Sequence, residues 1–177
     1  MALFTGKGDG GTTKLFGCDQ RRIAKSSEVP EALGALDELN AYLGFVKMHP
    51  EAPKRISQEL RDAQEALFII QAEVAGSDKH TKEGAAEAVG NIVNEIEKEI
   101  PPITGFSIAG GTELSAKLDV ARTIARRAER CVTAAELTGR AISPATKAYL
   151  NRLSSLLFAY ALLANHLAGV AEENPKY

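Results

Sequence analysis

Tryptophan is absent, aromatics make up only 6% of the chain, and two cysteines and three histidines are spread over 177 residues. Each scarcity removes a class of chemistry. Cys18 and Cys131 are too few for a disulfide framework and have no C-x-x-C spacing, which suits reduced thiols in a cytosolic setting. His49, His80 and His166 lie far apart, outside any H-E-x-x-H or Cys/His cluster, so a structural zinc site is not expected. A formal net charge of -2 leaves no general basic field for nucleic acid or an anionic membrane, and any anion site has to be local. The first five residues show neither a basic n-region nor an apolar h-region, so no secretory signal is expected. The apolar stretch 153–171 is broken by Ser154, Ser155, Asn165 and His166, which fits a helix at the centre of a bundle better than a membrane span. No strand pattern, repeat or low-complexity tract is visible.

What is present is helical periodicity on a chain long enough for one domain with a sizeable core. Ser26 or Ser27 opens a first helix carrying Leu36, Leu39, Leu43 and Val46 and ending near Pro50. A second runs from about 53 to 77, with Ile56, Leu60, Ala63, Leu67, Ile70 and Val74 as its stripe. A third fits 83–100 and stops at Pro101-Pro102. Thr112 caps a fourth, which runs to about Leu137 and closes with Gly139. Ser143 and Pro144 open a fifth that is apolar nearly all round. Short connections suit antiparallel neighbours, and the expected fold is an all-α five-helix bundle in a single domain, 1–177, with a glycine-rich loop over 1–25.

The chemistry concentrates in residues 121–130. At about 100° per residue, Arg122, Arg126, Glu129 and Arg130 share one face, while Leu114, Leu118, Ala121, Ala125, Ala128 and Val132 share another. Arginine suits bidentate capture of phosphate or carboxylate, and a glutamate among arginines can hold their guanidinium groups or face a metal ion. A solvated face laced by i,i+3 and i,i+4 pairs is the plainer alternative. The segment 5–14 has glycine at four of ten positions beside hydroxyls and lysines, either an anion cradle or a flexible terminus. Gly6 to Gly11 match half of a P-loop, but Thr12-Thr13 stands where Lys-Ser/Thr is required, so a Walker A assignment fails. Phe106 reads as a core anchor on general burial tendency. Asn151 and Ser155, four apart on an apolar helix, need partners: an interhelical hydrogen bond or a ligand.

Taken in order, Thr5, Gly8-Asp9, Gly11-Thr12-Thr13, Arg22-x-x-Lys25, Gly34-x-x-Asp37-Glu38-Leu39-Asn40, Gly110-Gly111, the 121–130 segment and Asn151-Arg152-Leu153-Ser154 resemble the PduO-type ATP:cob(I)alamin adenosyltransferases. The likeness covers almost the whole chain. It implies a five-helix bundle assembling as a homotrimer, with ATP lying across the N-terminal loop and arginine helix and the corrinoid in a neighbouring cleft. Thr5, Gly6, Lys7, Gly8, Asp9, Gly11, Thr12, Thr13 and Lys25 would hold the nucleotide. Arg126, Arg127 and Arg130 would neutralise its triphosphate, Asn151 would contact the adenosine part, and Glu129 would serve a magnesium–polyphosphate network. Arg122 would pair with Asp37 of the adjacent subunit, and Phe106 would sit beneath the corrin and displace its lower axial ligand. The implied activity transfers the 5′-deoxyadenosyl group of ATP to the cobalt(I) corrinoid, in the cytoplasm, with a corrinoid reductase and an adenosylcobalamin-dependent enzyme as possible partners and no nucleic acid or membrane. A nucleotide-binding trimeric relative without corrinoid activity is the alternative. Ser155 in place of a usual Asp, Ala109 in place of a frequent Pro, and Gly6 and Gly10 at positions often occupied by lysine depart from the pattern.

Overall fold

The computed structural model describes residues 4–15 and 21–177. Two short strands, β1 (Thr12–Lys14) and β2 (Arg22–Ala24), precede five helices: α1 (Glu28–Lys47), α2 (Lys54–Ala75), α3 (Ala85–Glu99), α4 (Glu113–Leu137) and α5 (Pro144–Leu167). The five expected helices are therefore present, each within a few residues of its expected limits. The strands correct the expectation of a chain without β-structure. They pair antiparallel, with Thr12 opposite Ala24, Thr13 opposite Ile23 and Lys14 opposite Arg22. Three residues per strand are too few to display the alternation by which a half-buried strand is recognised. Cys18 lies outside the described residues; Cys131 is a free, half-buried thiol. No helix among the described residues is long and apolar enough to cross a membrane.

Helix α1 packs between α2 and α4, α4 also packs on α5, and α3 packs on α5. The α4 stripe behaves as its spacing requires: Leu118, Ala121, Ala125 and Ala128 are fully buried, and Leu114 and Val132 nearly so. Small alanines at three successive turns suit a close approach of the neighbouring helices. Opposite them, α5 supplies Leu150, Leu153, Leu157, Tyr160 and Leu163, all buried. Each fully buried side chain of this size contributes about 1.5–3 kcal/mol relative to exposure. The caps form as the sequence indicates: the Thr112 hydroxyl accepts from Ser115 N–H at 3.1 Å, and that of Ser143 from Thr146 N–H at 3.2 Å.

Polar groups close the start of α5. Glu73, 2% exposed near the end of α2, accepts from Ser143 N–H on one carboxylate oxygen and from the Thr146 hydroxyl on the other, both at 2.5 Å. His80 Nδ1 lies 3.3 Å from the first oxygen, and the Thr81 and Thr146 hydroxyls are 2.6 Å apart. Burial raises the Glu73 pKa, but the bonds from Thr146, Ser143 and His80 outweigh it and hold it below the ordinary carboxylate value. A carboxylate at a helix N-terminus is favoured by the exposed N–H groups there.

Candidate functional site

The glycine-rich loop is a built turn. Positive φ at Gly6 (68°) and Gly11 (72°) reverses the chain, and Asp9 N–H and Gly11 N–H donate to the Gly6 and Gly8 carbonyls at 3.1 Å. Arg22 braces it from β2, donating to the Thr12 hydroxyl and carbonyl at 2.7 Å each and also to the Lys7 carbonyl. Lys25 N–H donates to the Gly11 carbonyl at 2.9 Å, and a Cβ placed on Gly8 would stand 3.0 Å from Lys25 Nζ. A lysine ammonium thus lies close against the turn at Gly8. Thr5, Gly6, Lys7, Asp9 and Gly11 are exposed, and Thr12 and Thr13 half-buried. Thr13, Lys14 and Lys25 border a cavity of about 620 Å³ whose far wall is Leu33 of α1 and Phe68 and Gln71 of α2.

The second half of the site lies on α4 and α5. Arg126, Glu129, Arg130, Thr133 and Asn151 line a pocket of about 290 Å³. Asn151 Nδ2 donates to Glu129 Oε1 at 3.2 Å, which realises the interhelical bond open to Asn151, while Arg130 Nη1 donates to the Arg126 carbonyl at 3.0 Å. Among the described residues no hydrogen-bond or ion-pair partner meets the exposed Arg126 guanidinium. A face laced by Arg126–Glu129 pairing is therefore not what forms. Arg127 instead makes an ion pair with Glu38 of α1 and does not line this pocket.

A cleft of about 400 Å³ adjoins it, lined by Gly105, Phe106, Ser107, Arg122, Arg126, Ser154, Ser155 and Phe158. Arg126 lines both spaces, so an arginine pocket and an aromatic-walled cleft meet at one residue. Phe106 is 77% exposed, which overturns the core-anchor reading: its connector has glycine and proline neighbours and no helix over it. Arg122 donates to Asp119 at 2.8 Å within its own helix and lies 5.6 Å from the centre of the Phe158 ring. Asp37 is exposed on α1. Phe158 and Asp119 were not among the residues singled out by sequence. Phe158 carried a signal, as an aromatic one turn beyond Ser154 and Ser155, but in an apolar helix it reads as core.

Among the described residues, the cavity beside the loop and the arginine pocket are separate spaces. The loop cavity is walled by α1 and α2, the arginine pocket by α4 and α5, and no residue lines both. Helix α1 intervenes.

These features define a five-helix bundle preceded by a two-stranded ribbon, with an arginine-lined pocket beside an aromatic-walled cleft. The chain belongs to the cobalamin adenosyltransferase family, whose model matches residues 3–164. It is 36% identical over 168 residues to a corrinoid adenosyltransferase of Citrobacter freundii, covering 90% of this chain and 92% of that one. It is 32% identical to a cobalamin adenosyltransferase of Cupriavidus metallidurans, covering 94% and 90%. Against the corrinoid adenosyltransferase PduO of Citrobacter freundii, 33% identical, the chain spans half of the relative's length. Among solved structures, a variant of the PduO-type ATP:corrinoid adenosyltransferase from Lactobacillus reuteri complexed with cobalamin and ATP superposes with a TM-score of 0.88 at 29% identity, covering 97% of this chain and 95% of that one. Another variant of that enzyme, complexed with ATP, gives 0.89 at 29% identity and coverage of 98% and 100%.

Proposed function

We propose that this chain transfers the 5′-deoxyadenosyl group of ATP to a cobalt(I) corrinoid and releases inorganic triphosphate. The observation that carries this reading is that Arg126 is shared between the cationic pocket and the aromatic cleft. A polyanion on one side and a flat macrocycle on the other is the pair of ligands such a junction fits. Cobalt(I) is itself the nucleophile, so the reaction needs no side-chain nucleophile from the protein. A Co–C bond forms at the ribose 5′ carbon, the C–O bond to the triphosphate breaks, and its electron pair leaves with the triphosphate. Arg126 and Arg130, with Arg127 once released from Glu38, stabilise the growing negative charge. Thr5, Gly6, Lys7, Gly8, Asp9, Gly11, Thr12, Thr13 and Lys25 hold the nucleotide, Asn151 meets its adenosine part, and Phe106 covers the lower face of the corrin.

Glu129 suits a magnesium ion shared with the phosphates. Asn151 engages only one of its oxygens, and Mg²⁺ commonly takes one or two carboxylates plus phosphates and water rather than an all-protein cage. The ion would offset triphosphate charge. Because the loop cavity and the arginine pocket are separate spaces in one chain, the complete site forms between subunits of a homotrimer, with the exposed Asp37 reaching Arg122 of a neighbour. A cytoplasmic corrinoid reductase supplies the cobalt(I) state and an adenosylcobalamin-dependent enzyme consumes the product. The alternative, a nucleotide-binding relative without corrinoid chemistry, rests on Ser155 alone, and the aromatic walls of the cleft argue against it.

The test mixes protein, ATP, Mg²⁺ and chemically reduced cobalamin, following the visible spectrum and released triphosphate. Adenosylcobalamin and triphosphate should appear in equal amounts. ATP binding without either product would leave the regulatory alternative standing.

A further inference from the structure

The connector that carries Phe106 is pinned by the last turn of α5 and the segment after it. Asn165, 3% exposed, spends all four of its amide valences there. Its Oδ1 accepts from Thr112 N–H at 2.9 Å and from the Thr112 hydroxyl at 3.2 Å. Its Nδ2 donates to the Gly110 carbonyl at 3.0 Å and to Glu172 at 2.9 Å. A Cβ on Gly111 would stand 2.5 Å from Asn165 Oδ1, so glycine at 111 is required for this approach. Closer to the cleft, Ile108 N–H donates to the Glu173 carbonyl at 2.8 Å, and Asn174 Nδ2 donates to the carbonyl of Phe106 itself at 3.0 Å. Gly169, at φ 68°, turns the chain back to make these contacts.

The connector's own side chains do not anchor it: Phe106 is 77% and Ile108 51% exposed. Its place is set by backbone pins. We propose that residues 172–174, seated by Asn165, form a clamp that fixes Phe106 at the cleft, with Asn174 as a positioning residue for the corrinoid reaction. This rests on the function proposed above, in which Phe106 covers the lower face of the corrin; a ring there would displace the lower axial ligand and leave cob(II)alamin four-coordinate and easier to reduce. The clamp acts on that step alone. A loop freed from Asn174 samples positions in which the ring no longer covers the cobalt, while the ATP and arginine side is untouched.

The test compares Asn174→Ala, Asn174→Gln and a chain ended after Ala171 with the wild-type protein. One hydrogen bond corresponds to about a fivefold change in the ratio of clamped to free loop. Asn174→Ala should lower the four-coordinate cob(II)alamin signal, and turnover from cob(II)alamin with reductant, measurably and by no more than that factor. The KM for ATP, the melting temperature and turnover from pre-reduced cob(I)alamin should hold. Asn174→Gln, which keeps the donor, should recover part of the loss. Equal losses from both cobalt states, or no change in either, would overturn the proposal. If the wild-type protein makes no adenosylcobalamin, the functional reading falls instead, and hydrogen exchange at the Ile108 amide decides the clamp. Faster exchange in the chain ended after Ala171 supports it; unchanged exchange overturns it.

Discussion

Two glutamates face α5, one at its start and one about two turns further along, and they are treated in opposite ways. Glu73 is sealed: both oxygens accept short bonds, and only 2% of its side chain meets solvent. Glu129 sits half-buried in an open pocket, with one bond of 3.2 Å from Asn151 and two arginines nearby that it does not neutralise. Buried polar groups that hold a fold are satisfied inside it, whereas groups kept for a ligand retain spare donors and acceptors. Within that pocket the Arg126 guanidinium carries the largest such reserve, which agrees with the site proposed between α4 and α5 and with the α2–α5 junction as scaffold.

The sharpest way to break that contrast is Arg126→Ala. Removing one donor aimed at developing charge costs about 2.7–4 kcal/mol, so adenosyl transfer should fall by about 10²–10³. An exposed side chain without a protein partner leaves stability unchanged on removal. Full activity in a folded Arg126→Ala protein would end the phosphate role.

Phe106→Ala comes next. A buried phenylalanine costs about 3–5 kcal/mol on truncation; this ring, exposed before ligand arrives, should cost well under that in stability. Its worth appears on corrinoid binding, where burying such a ring contributes about 1.5–3 kcal/mol, or roughly 10- to 10²-fold in turnover from cob(II)alamin. Pre-reduced cob(I)alamin should restore much of the rate. A large drop in melting temperature with equal losses from both substrates would instead make Phe106 scaffold.

How much of this contrast was legible beforehand follows from the range of the interactions. The arginine face and the apolar stripe of α4 repeat every three to four residues, so a helical period places them without knowledge of neighbours. Thr112 and Ser143 were readable as caps because capping is local. Glu73 was not, since its partners lie 70 and 73 residues away and a glutamate on an amphipathic helix ordinarily faces water. Asn165 was visible only as an interruption of an apolar run; that it saturates Gly110, Thr112 and Glu172 requires the fold. Phe106 was misplaced by composition because burial tendency ignores that glycine-rich connectors leave side chains uncovered.

Glu73→Gln tests the sealed side. The amide turns a donor toward either Ser143 N–H or the Thr146 hydroxyl, so about 1–3 kcal/mol of stability should go, seen as roughly 2–4 °C of melting temperature per kcal/mol. Activity per folded molecule should stay. Because its folded pKa is depressed, Glu73 contributes stability above the ordinary carboxylate pKa and loses it as pH falls through the folded value. The gap between wild type and Glu73→Gln should accordingly narrow on acidification. A gap independent of pH would show that Glu73 is not the titrating group.

The smallest effect is expected at Arg127, which lies between the two categories. It follows Arg126 on α4 but is turned off the face of Arg126 and Arg130 toward Glu38, with side chains 38% and 52% exposed. An exposed ion pair of this kind is worth about 0.2–1 kcal/mol and weakens with salt. As a brace between α4 and α1, Arg127 would show that coupling in a double-mutant cycle with Glu38→Gln, and ATP affinity would not change. As a held cation, it would be drawn to the triphosphate only after giving up Glu38, and the cost of leaving would subtract from what it contributes. Both terms are of similar size, so Arg127→Ala should lower turnover by less than about tenfold, far less than Arg126→Ala. Glu38→Gln, which removes the competitor, should tighten ATP binding slightly, and more at low salt. If Glu38→Gln leaves ATP binding unchanged at every salt concentration, Arg127 belongs with Glu73 on the structural side. If Arg127→Ala is as damaging as Arg126→Ala, an internal partner does not disqualify an arginine from the working site, and the contrast between satisfied and spare groups must be drawn at Glu73 alone.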